Sequence, residues 1–523
     1  MELTRREALK LGMLGSAALL LPLEKGARTA SSIRNRLRPS ELPKPFQVPL
    51  TIPSVVKPAR SDATTDYYEI KMRMVRRQVL PKPFGATLIY GYEGVTPGPT
   101  IEQRVGRKAV VRQINLLPDR HPTLGYPNTT SVHLHGSDSA PEYDGWANDM
   151  IRPGQYKDYH YPDDQDARPL WYHDHAVHHT SENAYMGCAA FYFTRDALED
   201  SLPIPSGTRY EVPLMIQDKI FSKNGDFVFD DEGHSGLFGD VILVNGSPWP
   251  TLKVERRKYR FRILNASTSR SYDLALSSGE AMHVIGHDGG LAPQSKAFGH
   301  LRIGMAERYG VIVDFAKYKT GQRVVLRNRG LPNNDDYKST RDIMAFDVVG
   351  DATDTSDNEI PPDLNPSNTK YNPMRLQPTP DTRTRKWTVD RKNGQWTING
   401  KTWDPNRPDA DVPLDAVEVW ELENKSGGWF HPLHIHLVDF KILDRNGKPP
   451  FDYELGPKDV AYLGEGEKVR VIAKFGPQKG KYMMHCHNLV HEDHDMMTNF
   501  DVGPTGEDPA AKDPAKDLPA PPL

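Results

Sequence analysis

The chain has 523 residues, 37% of them hydrophobic, and its 66 Lys and Arg nearly balance its 69 Asp and Glu. This length allows about three or four ordinary domains with a sizeable core. The balanced charge, without a long run of Lys or Arg, excludes the electrostatic footprint of a nucleic-acid partner. The 45 prolines and 41 glycines separate short segments rich in Val, Ile, Tyr and Thr, which indicates an all-β architecture.

The first 30 residues predict an export signal. Arg5 and Arg6 precede an apolar stretch of about a dozen residues in LTRREALKLGMLGSAALLLP, too short to span a bilayer. The pattern resembles a twin-arginine signal, which predicts a periplasmic, cell-surface or extracellular protein with no membrane span after signal removal. A loose amphipathic arm is the alternative. The two cysteines, Cys188 and Cys486, do not suggest a disulfide framework, and Cys188 lies in an apolar segment typical of a buried core thiol.

Three similar units follow one another along the chain. They are GVTPGPTIEQRVGRKAVVRQIN from Gly94, GSPWPTLKVERRKYRFRILNAS from Gly246 and GKTWDPNRPDADVPLDAVEVWELEN from Gly400. Each passes from a Gly and Pro turn into alternating apolar and polar residues that end at an Asn, the period of a half-buried antiparallel strand. Chance similarity of β-rich segments is the alternative. We predict β-sandwich domains at residues 45–200, 205–350 and 383–503, a Pro-rich linker at 351–382 and a disordered tail at 504–523.

Histidines are concentrated in the first and third units. Ten of the 19 fall in four clusters: HLH (His133, His135), HDH (His173, His175), HPLHIH (His431, His434, His436) and HCHNLVH (His485, His487, His491). Residues i and i+2 of a strand point to the same face, so each H-x-H pair presents two imidazoles side by side. A single pair is more often a core histidine, but four pairs would crowd polar groups that need partners. They indicate a multinuclear metal centre at the junction of units one and three.

The sequence HCH joins two kinds of site. Strand alternation directs His485 and His487 to one face and Cys486 to the other. A set of two His and one Cys with a weak axial Met is typical of a blue copper site, and His431, His491 and Met496 can complete it. Zinc is the alternative, but the paired Cys spacings of structural zinc sites are absent from the sequence. The pattern therefore favours copper.

The motifs HLHG, WYHDH, HPLHIH and HCHNLVHEDHDMM, in this order, resemble those of three-domain multicopper oxidases, most closely bilirubin oxidases and bacterial spore-coat laccases. The resemblance covers nearly all of the chain after the signal. It implies three consecutive cupredoxin-like Greek-key domains and four coppers per chain. The implied ligands are His431, Cys486, His491 and Met496 for the type 1 copper, His133 and His434 for the type 2 copper, and His135, His173, His175, His436, His485 and His487 for the type 3 pair.

The same resemblance implies an oxidoreductase that takes electrons from phenols, aromatic amines or bilirubin-like tetrapyrroles at the type 1 copper. They pass through Cys486 to the three-copper cluster, where dioxygen is reduced to water. Asp144 and Glu492 match carboxylates that supply protons in this family. An ordinary Asp-Gly turn is the alternative for Asp144, and orientation of a ligand histidine is the alternative for Glu492. Alternative functions are cuprous or ferrous oxidation in metal homeostasis and a non-enzymatic, export-linked scaffold, which the complete ligand set disfavours.

Overall fold

The computed structural model describes residues 35–365, 372–504 and 507–523. The predicted export signal at residues 1–30 lies outside the described residues. Five short α-helices occur in the described part: α1 (Thr180–Met186), α2 (Ala197–Ser201), α3 (Gly207–Tyr210), α4 (Leu489–Glu492) and α5 (Pro509–Lys512). None of the helices in these ranges is long and apolar enough to cross a membrane.

Strands form the rest of the framework and are numbered in chain order. The first unit contains β1 (Arg60–Ser61), β2 (Thr65–Arg77), β3 (Thr87–Tyr92), β4 (Ile101–Arg104), β5 (Lys108–Asn115), β6 (Val132–His135), β7 (Gln155–Tyr161), β8 (Pro169–Asp174) and β9 (Ala189–Arg195). The second contains β10 (Glu211–Lys219), β11 (Val241–Val244), β12 (Ser247–Pro248), β13 (Thr251–Arg256), β14 (Lys258–Asn265), β15 (Tyr272–Leu276), β16 (Met282–His287), β17 (Gly290–Phe298), β18 (Leu301–Ile303), β19 (Arg308–Asp314), β20 (Arg323–Asn328) and β21 (Asp342–Asp351).

The third unit contains β22 (Arg383–Lys392), β23 (Gln395–Ile398), β24 (Pro408–Val412), β25 (Val417–Asn424), β26 (His431–Ile435), β27 (Phe440–Arg445), β28 (Val460–Leu463), β29 (Lys468–Lys474), β30 (Gly480–Cys486) and β31 (Met497–Val502), and β32 (Lys516–Asp517) follows near the C-terminus. Between β21 and β22, the described residues form one 3-10 turn at Pro373–Arg375 and no strand.

Each unit consists of two sheets. The strand orders are β1-β2-β5-β7-β32, with β3 on β2, and β4-β9-β8-β6 in the first unit; β12-β11-β10-β14-β19-β16-β17 and β13-β21-β20-β15-β18 in the second; and β23-β22-β25-β29-β27 and β24-β31-β30-β26-β28 in the third. Apolar side chains of both sheets of the third unit form one buried cluster that includes Trp420 and Cys486. A larger cluster runs through the first and second units. These cores confirm the predicted all-β sandwich architecture.

The three repeated strands are β5, β14 and β25. Each lies between a parallel neighbour, namely β2, β10 or β22, and an antiparallel neighbour, namely β7, β19 or β29. The predicted antiparallel pairing is therefore wrong for one neighbour of each strand. The predicted half burial is wrong for β5 and β14, in each of which seven of the eight residues are buried. Neighbouring units cover the outer face: Leu264 of β14 packs in one cluster with Trp171 and Phe193 of the first unit.

An Asn ends each repeated strand and makes the same three hydrogen bonds. The side-chain carbonyl accepts from the main-chain N–H two residues later at 3.0 Å in all three units. The side-chain amide donates to two main-chain carbonyls of the following loops. The three residues are Asn115, Asn265 and Asn424, and this shared arrangement supports the internal repeat that their sequences predict.

The prediction that residues 504–523 form a disordered tail is wrong for residues 507–523. Helix α5 begins at Pro509, and β32 pairs with β7 of the first unit in the register Lys516 to Tyr156. The buried Lys157 ammonium donates to the carbonyl of Asp513 at 2.5 Å. These contacts join distant parts of the chain, so composition alone does not reveal them.

Candidate metal centres

Eight histidines from the first and third units converge in the interior. They come from the ends of β6 and β8 in the first unit and of β26 and β30 in the third. Within each unit the histidines are cross-strand neighbours, since His133 pairs with His173 in the register of β6 and β8, and His434 pairs with His485 in that of β26 and β30. Strand pairing within the units and contact between them therefore assemble one cluster.

The ring nitrogens of this cluster meet in small groups. His133 Nε2 lies 3.4 Å from His434 Nε2. His485 Nε2 lies 3.2 Å from His175 Nε2 and 3.1 Å from His436 Nε2. A further group, with ligand atoms within 4.8 Å of one another, consists of His135, His173 and His487. His135 also lies within this distance of His133 and His434, so the groups adjoin one another.

These imidazoles are suited to hold a metal ion. All eight side chains are at most 1% exposed, and His135 Nδ1, His173 Nε2 and both ring nitrogens of His487 have no hydrogen-bond partner in the described structure. Burial, reinforced by neighbouring imidazoles, lowers the pKa of His135 and His173 well below the usual value. The rings of His135 and His173 are therefore neutral and have lone pairs, whereas buried polar atoms without partners are costly unless a ligand satisfies them. The residues fit copper, for which imidazole is a preferred ligand.

Carboxylates hold the opposite ring nitrogens. Asp144 accepts a hydrogen bond from His436 Nδ1 at 2.7 Å through its side chain, and its main-chain carbonyl is hydrogen-bonded to His133 Nδ1. Glu492 lies 2.9 Å from His485 Nδ1 and 3.5 Å from His175 Nδ1. Partners of this kind fix the tautomer and the orientation of a ligating histidine.

The Glu492 carboxylate is ionised at neutral pH. Burial raises its pKa, but the neighbouring His485 and His175 outweigh burial and lower the pKa to about 2. For Asp144, burial is the larger influence and raises the pKa. The geometry thus brings both predicted acidic residues to the cluster, where each contacts two of the converging histidines. The alternative interpretation of Glu492, orientation of a ligand, has direct contacts in its favour.

Sequence reasoning missed Asp459, which also supports the cluster. Its Oδ1 lies 3.1 Å from His135 Nε2, and its main-chain carbonyl is 2.9 Å from His434 Nδ1. The carboxylate is paired with Arg308 of the second unit at 2.5 Å. Asp459 precedes the apolar strand β28, and no spacing relates it to the histidine motifs. The only available signal was the charged pair Lys458-Asp459 directly before a strand of apolar residues.

A second candidate centre lies in the third unit around Cys486. The thiol Sγ is 3.4 Å from His431 Nδ1 and 3.7 Å from His491 Nδ1, and these two nitrogens are 3.2 Å apart. Met496 is buried in the same cluster of side chains, and its main-chain carbonyl accepts from the Cys486 N–H at 3.0 Å. Burial raises the pKa of the Cys486 thiol and lowers that of His431 to about 3. A neutral, buried set of N and S atoms suits a soft metal ion, which favours thiolate formation on binding.

Trp396 was also missed by sequence reasoning. Its indole lies against the imidazole of His491, with ring centroids 3.7 Å apart, and its Nε1–H donates to the His234 carbonyl at 2.8 Å. His491 Nε2 lies 3.1 Å from the carbonyl of Ser235, also in the second unit. The side chains and carbonyls that surround the Cys486 centre thus come from the third unit and from the 234–235 loop of the second unit.

Family models agree with this division of the chain. Models described as multicopper oxidase match residues 74–197, 229–340 and 345–506. The chain therefore belongs to the multicopper oxidase family. It is a copper-binding oxidoreductase with dioxygen as electron acceptor, and its three domains have the cupredoxin fold.

Individual relatives include bilirubin oxidase and laccases. Bilirubin oxidase from Albifimbria verrucaria is 43% identical, with 87% of this chain and 81% of that protein covered. A laccase from Bacillus subtilis is 33% identical, with 87% and 97% covered. Among solved structures, a laccase from Pediococcus acidilactici superposes with a TM-score of 0.78 at 28% identity, covering 88% of this chain and 94% of that one. The family, the fold class and the laccase or bilirubin oxidase type of enzyme expected from the motifs are thus confirmed.

Proposed function

We propose that the chain binds four coppers and couples the one-electron oxidation of phenols, aromatic amines or bilirubin-like tetrapyrroles to the reduction of dioxygen to water. The observation that carries this proposal is the placement of Cys486 between His485 and His487. Its sulfur lies in the group with His431 and His491, while its two neighbours belong to the two histidine triads. Two centres are thus joined by a single short stretch of main chain.

The proposed ligand sets follow these groups. His431, Cys486, His491 and Met496 would hold the type 1 copper. His133 and His434 would hold the type 2 copper, and two triads would hold the type 3 pair, namely His135, His173 and His487, and His175, His436 and His485. When bound, copper supplies one-electron oxidation at the first site and multi-electron reduction of dioxygen at the others.

The protein contributes orientation, exclusion of water and proton-accepting groups. Buried carboxylates of Asp144, Glu492 and Asp459 keep one nitrogen of each contacted imidazole protonated, so that the other nitrogen faces the cluster. We propose that Asp144 and Glu492 also pass protons to the site of dioxygen reduction, because they are the carboxylates in direct contact with the converging histidines. Trp396 and Ser235 cover His491 and exclude water from this side of the Cys486 centre.

Support for organic donors comes from two named relatives, the bilirubin oxidase and the laccase. Rates for bilirubin, a methoxyphenol, an aminophenol, Fe(II) and Cu(I) should be compared on one copper-loaded preparation. We expect the organic donors to be oxidised at least about tenfold faster than either metal ion, a difference of about 1.4 kcal/mol in transition-state energy. Faster oxidation of Fe(II) or Cu(I) would instead assign the enzyme to metal homeostasis.

We also propose export by a twin-arginine route, on the basis of Arg5, Arg6 and the short apolar stretch that follows them. Replacement of both arginines by lysine should retain the protein in the cytoplasm, as fractionation of expressing cells would show. Unchanged export of this variant would contradict the proposal.

A further inference from the structure

The turn that presents Asp144 is short. It is a single 3-10 turn, Pro141–Tyr143, capped by Asp144, whose N–H donates to the Pro141 carbonyl at 3.3 Å. The Asp144 side chain and carbonyl contact His436 and His133, so a shift of this turn would move two imidazoles from different units. What holds the turn in place therefore matters to the copper cluster.

One side of the turn rests on the beginning of β30. Pro141 packs so closely on Gly480 that a Cβ on this glycine would lie 2.2 Å from Pro141 Cγ. The φ of Gly480 is +135°, a value that other residues rarely adopt. This contact supports the turn from the third unit.

The other side is covered by residues 507–523, which we name the C-terminal strap. Lys512 Nζ forms an ion pair of 2.7 Å with Glu142 Oε1, and the Tyr143 hydroxyl donates to Asp513 Oδ2 at 3.4 Å. Ala510 packs against the small cluster that contains Trp146. The strap thus contacts residues of the turn and the segment directly after Asp144.

The strap is in turn fixed to the first unit. Besides the pairing of β32 with β7, Gln155 Nε2 donates to Asp517 Oδ1 at 2.9 Å. The ammonium of Lys157 is fully buried between Asp149 and the Asp513 carbonyl, each at 2.5 Å. Arg112 donates to the carbonyl of Pro521. These contacts hold residues 507–523 against the first unit.

We infer that the C-terminal strap, through the ion pair of Lys512 with Glu142, positions the 141–144 turn and thereby keeps Asp144 against His133 and His436. The strap is then a positioning element for the trinuclear site, although it lies after the last strand of the third unit. This inference rests on the proposed function, since the proposed type 2 copper uses His133. Because an exposed ion pair alone contributes little, the effect of the strap is local: it raises the free energy of opening the turn.

The test compares matched lysine variants of the full chain. Lys512→Ala removes the ion pair with Glu142, whereas Lys516→Ala is the control, because Lys516 is similarly exposed and pairs with Asp513 of the strap itself. Release of type 2 copper to a chelator is followed by its paramagnetic resonance signal, with the type 1 absorption recorded in parallel. We expect release about two- to fivefold faster in K512A, the range for one half-exposed ion pair, and unchanged release in K516A.

Two further experiments avoid dependence on the K512A variant alone. One exchanges the charges of Glu142 and Lys512, and the other removes the strap. Glu142→Lys and Lys512→Glu should each accelerate release, and the double variant should restore it. Removal of residues 504–523 should accelerate release about tenfold or more, as for loss of a group that orients a metal ligand. In copper-free protein, amide exchange of residues 141–148 should be faster in K512A than in K516A.

Equal release and equal amide exchange in K512A, K516A and the unmodified protein would overturn the inference. That outcome is distinguishable from failure of the proposed function, in which the unmodified protein itself would show no type 2 signal. The amide-exchange comparison needs no copper and so tests the strap separately.

Discussion

At the scale of single residues, Glu492 contacts two histidines of the proposed ligand sets. Its oxygens lie 2.9 Å from His485 Nδ1 and 3.5 Å from His175 Nδ1. Glu492→Gln keeps one acceptor but loses the charge and one contact. We expect dioxygen consumption to fall about 10- to 100-fold, as is usual for such partners of metal ligands, while the visible absorption of the type 1 copper stays unchanged.

The control for this change is Glu182→Gln. Glu182 lies in helix α1 of the first unit and pairs with His179 at 2.6 Å, and neither residue belongs to the proposed ligand sets. Dioxygen uptake should be unaffected in E182Q. Normal dioxygen uptake in E492Q as well would contradict a role of Glu492 in dioxygen reduction. Loss of the blue colour in E492Q would show that Glu492 supports the Cys486 centre instead of the histidine cluster.

Loss of the Asp459 carboxylate should lower the stability of the fold markedly. It is paired with Arg308 at 2.5 Å, and both side chains are at most 2% exposed. Asp459→Asn leaves the buried guanidinium of Arg308 with the more distant Asp288, at 3.7 Å, as its charged partner, which costs about 3 kcal/mol of unfolding free energy. Asp347→Asn is the matched control, because Asp347 pairs with Arg323 at 2.6 Å on the surface and should cost at most about 1 kcal/mol.

Urea unfolding of the copper-free variants measures this difference. Similar midpoints for D459N and D347N would contradict the buried role of Asp459. Copper-free protein is needed for the comparison, because Asp459 also contacts two ligand histidines and bound copper would add its own stabilisation.

At the scale of elements, the Asn that ends each repeated strand allows a comparison between units. Asn265→Ala removes partners from two buried main-chain carbonyls and one N–H, which costs about 3 kcal/mol of unfolding free energy. Asn424→Ala should cost a similar amount and should also change the type 1 absorption. The reason is that the Asn424 side-chain carbonyl accepts a hydrogen bond from the Ser426 hydroxyl at 2.7 Å, and this hydroxyl lies 2.8 Å from His431 Nε2.

The second unit contributes no imidazole to the ligand groups, so N265A should leave the absorption unchanged. Thermal unfolding and a visible spectrum of both variants check this expectation. A changed spectrum in N265A, or an unchanged one in N424A, would contradict the separate roles assigned to the two loops.

The strands also show what sequence can and cannot predict here. Because side chains alternate along an extended backbone, the H-x-H spacing predicted which imidazoles share a face. The structure brings these imidazoles to one cluster, but it places His173 and His175 in different groups, and likewise His485 and His487. Strand direction was predicted wrongly, since alternation does not distinguish parallel from antiparallel neighbours. The order of residues 507–523 was missed because it depends on Lys157 and Arg112, which are distant in the sequence.

At the scale of the whole molecule, the three units have different tasks. The first and third supply all eight converging histidines, and the second supports both centres through Arg308, Ser235 and the carbonyl of His234. Asp459 and Trp396 could not be predicted as parts of a site, because their importance arises from this packing between units. Every residue of the proposed ligand sets, in contrast, lies in a motif whose local spacing is informative.

The most direct test of the account is the copper content of fully loaded protein, measured by elemental analysis on the unmodified chain and on Cys486→Ser. The account predicts four coppers per chain for the former and three for the latter, because only the centre around the sulfur is lost. Equal copper content in the two proteins, or a content far below four in the unmodified chain, would contradict the assignment of one mononuclear and one trinuclear centre.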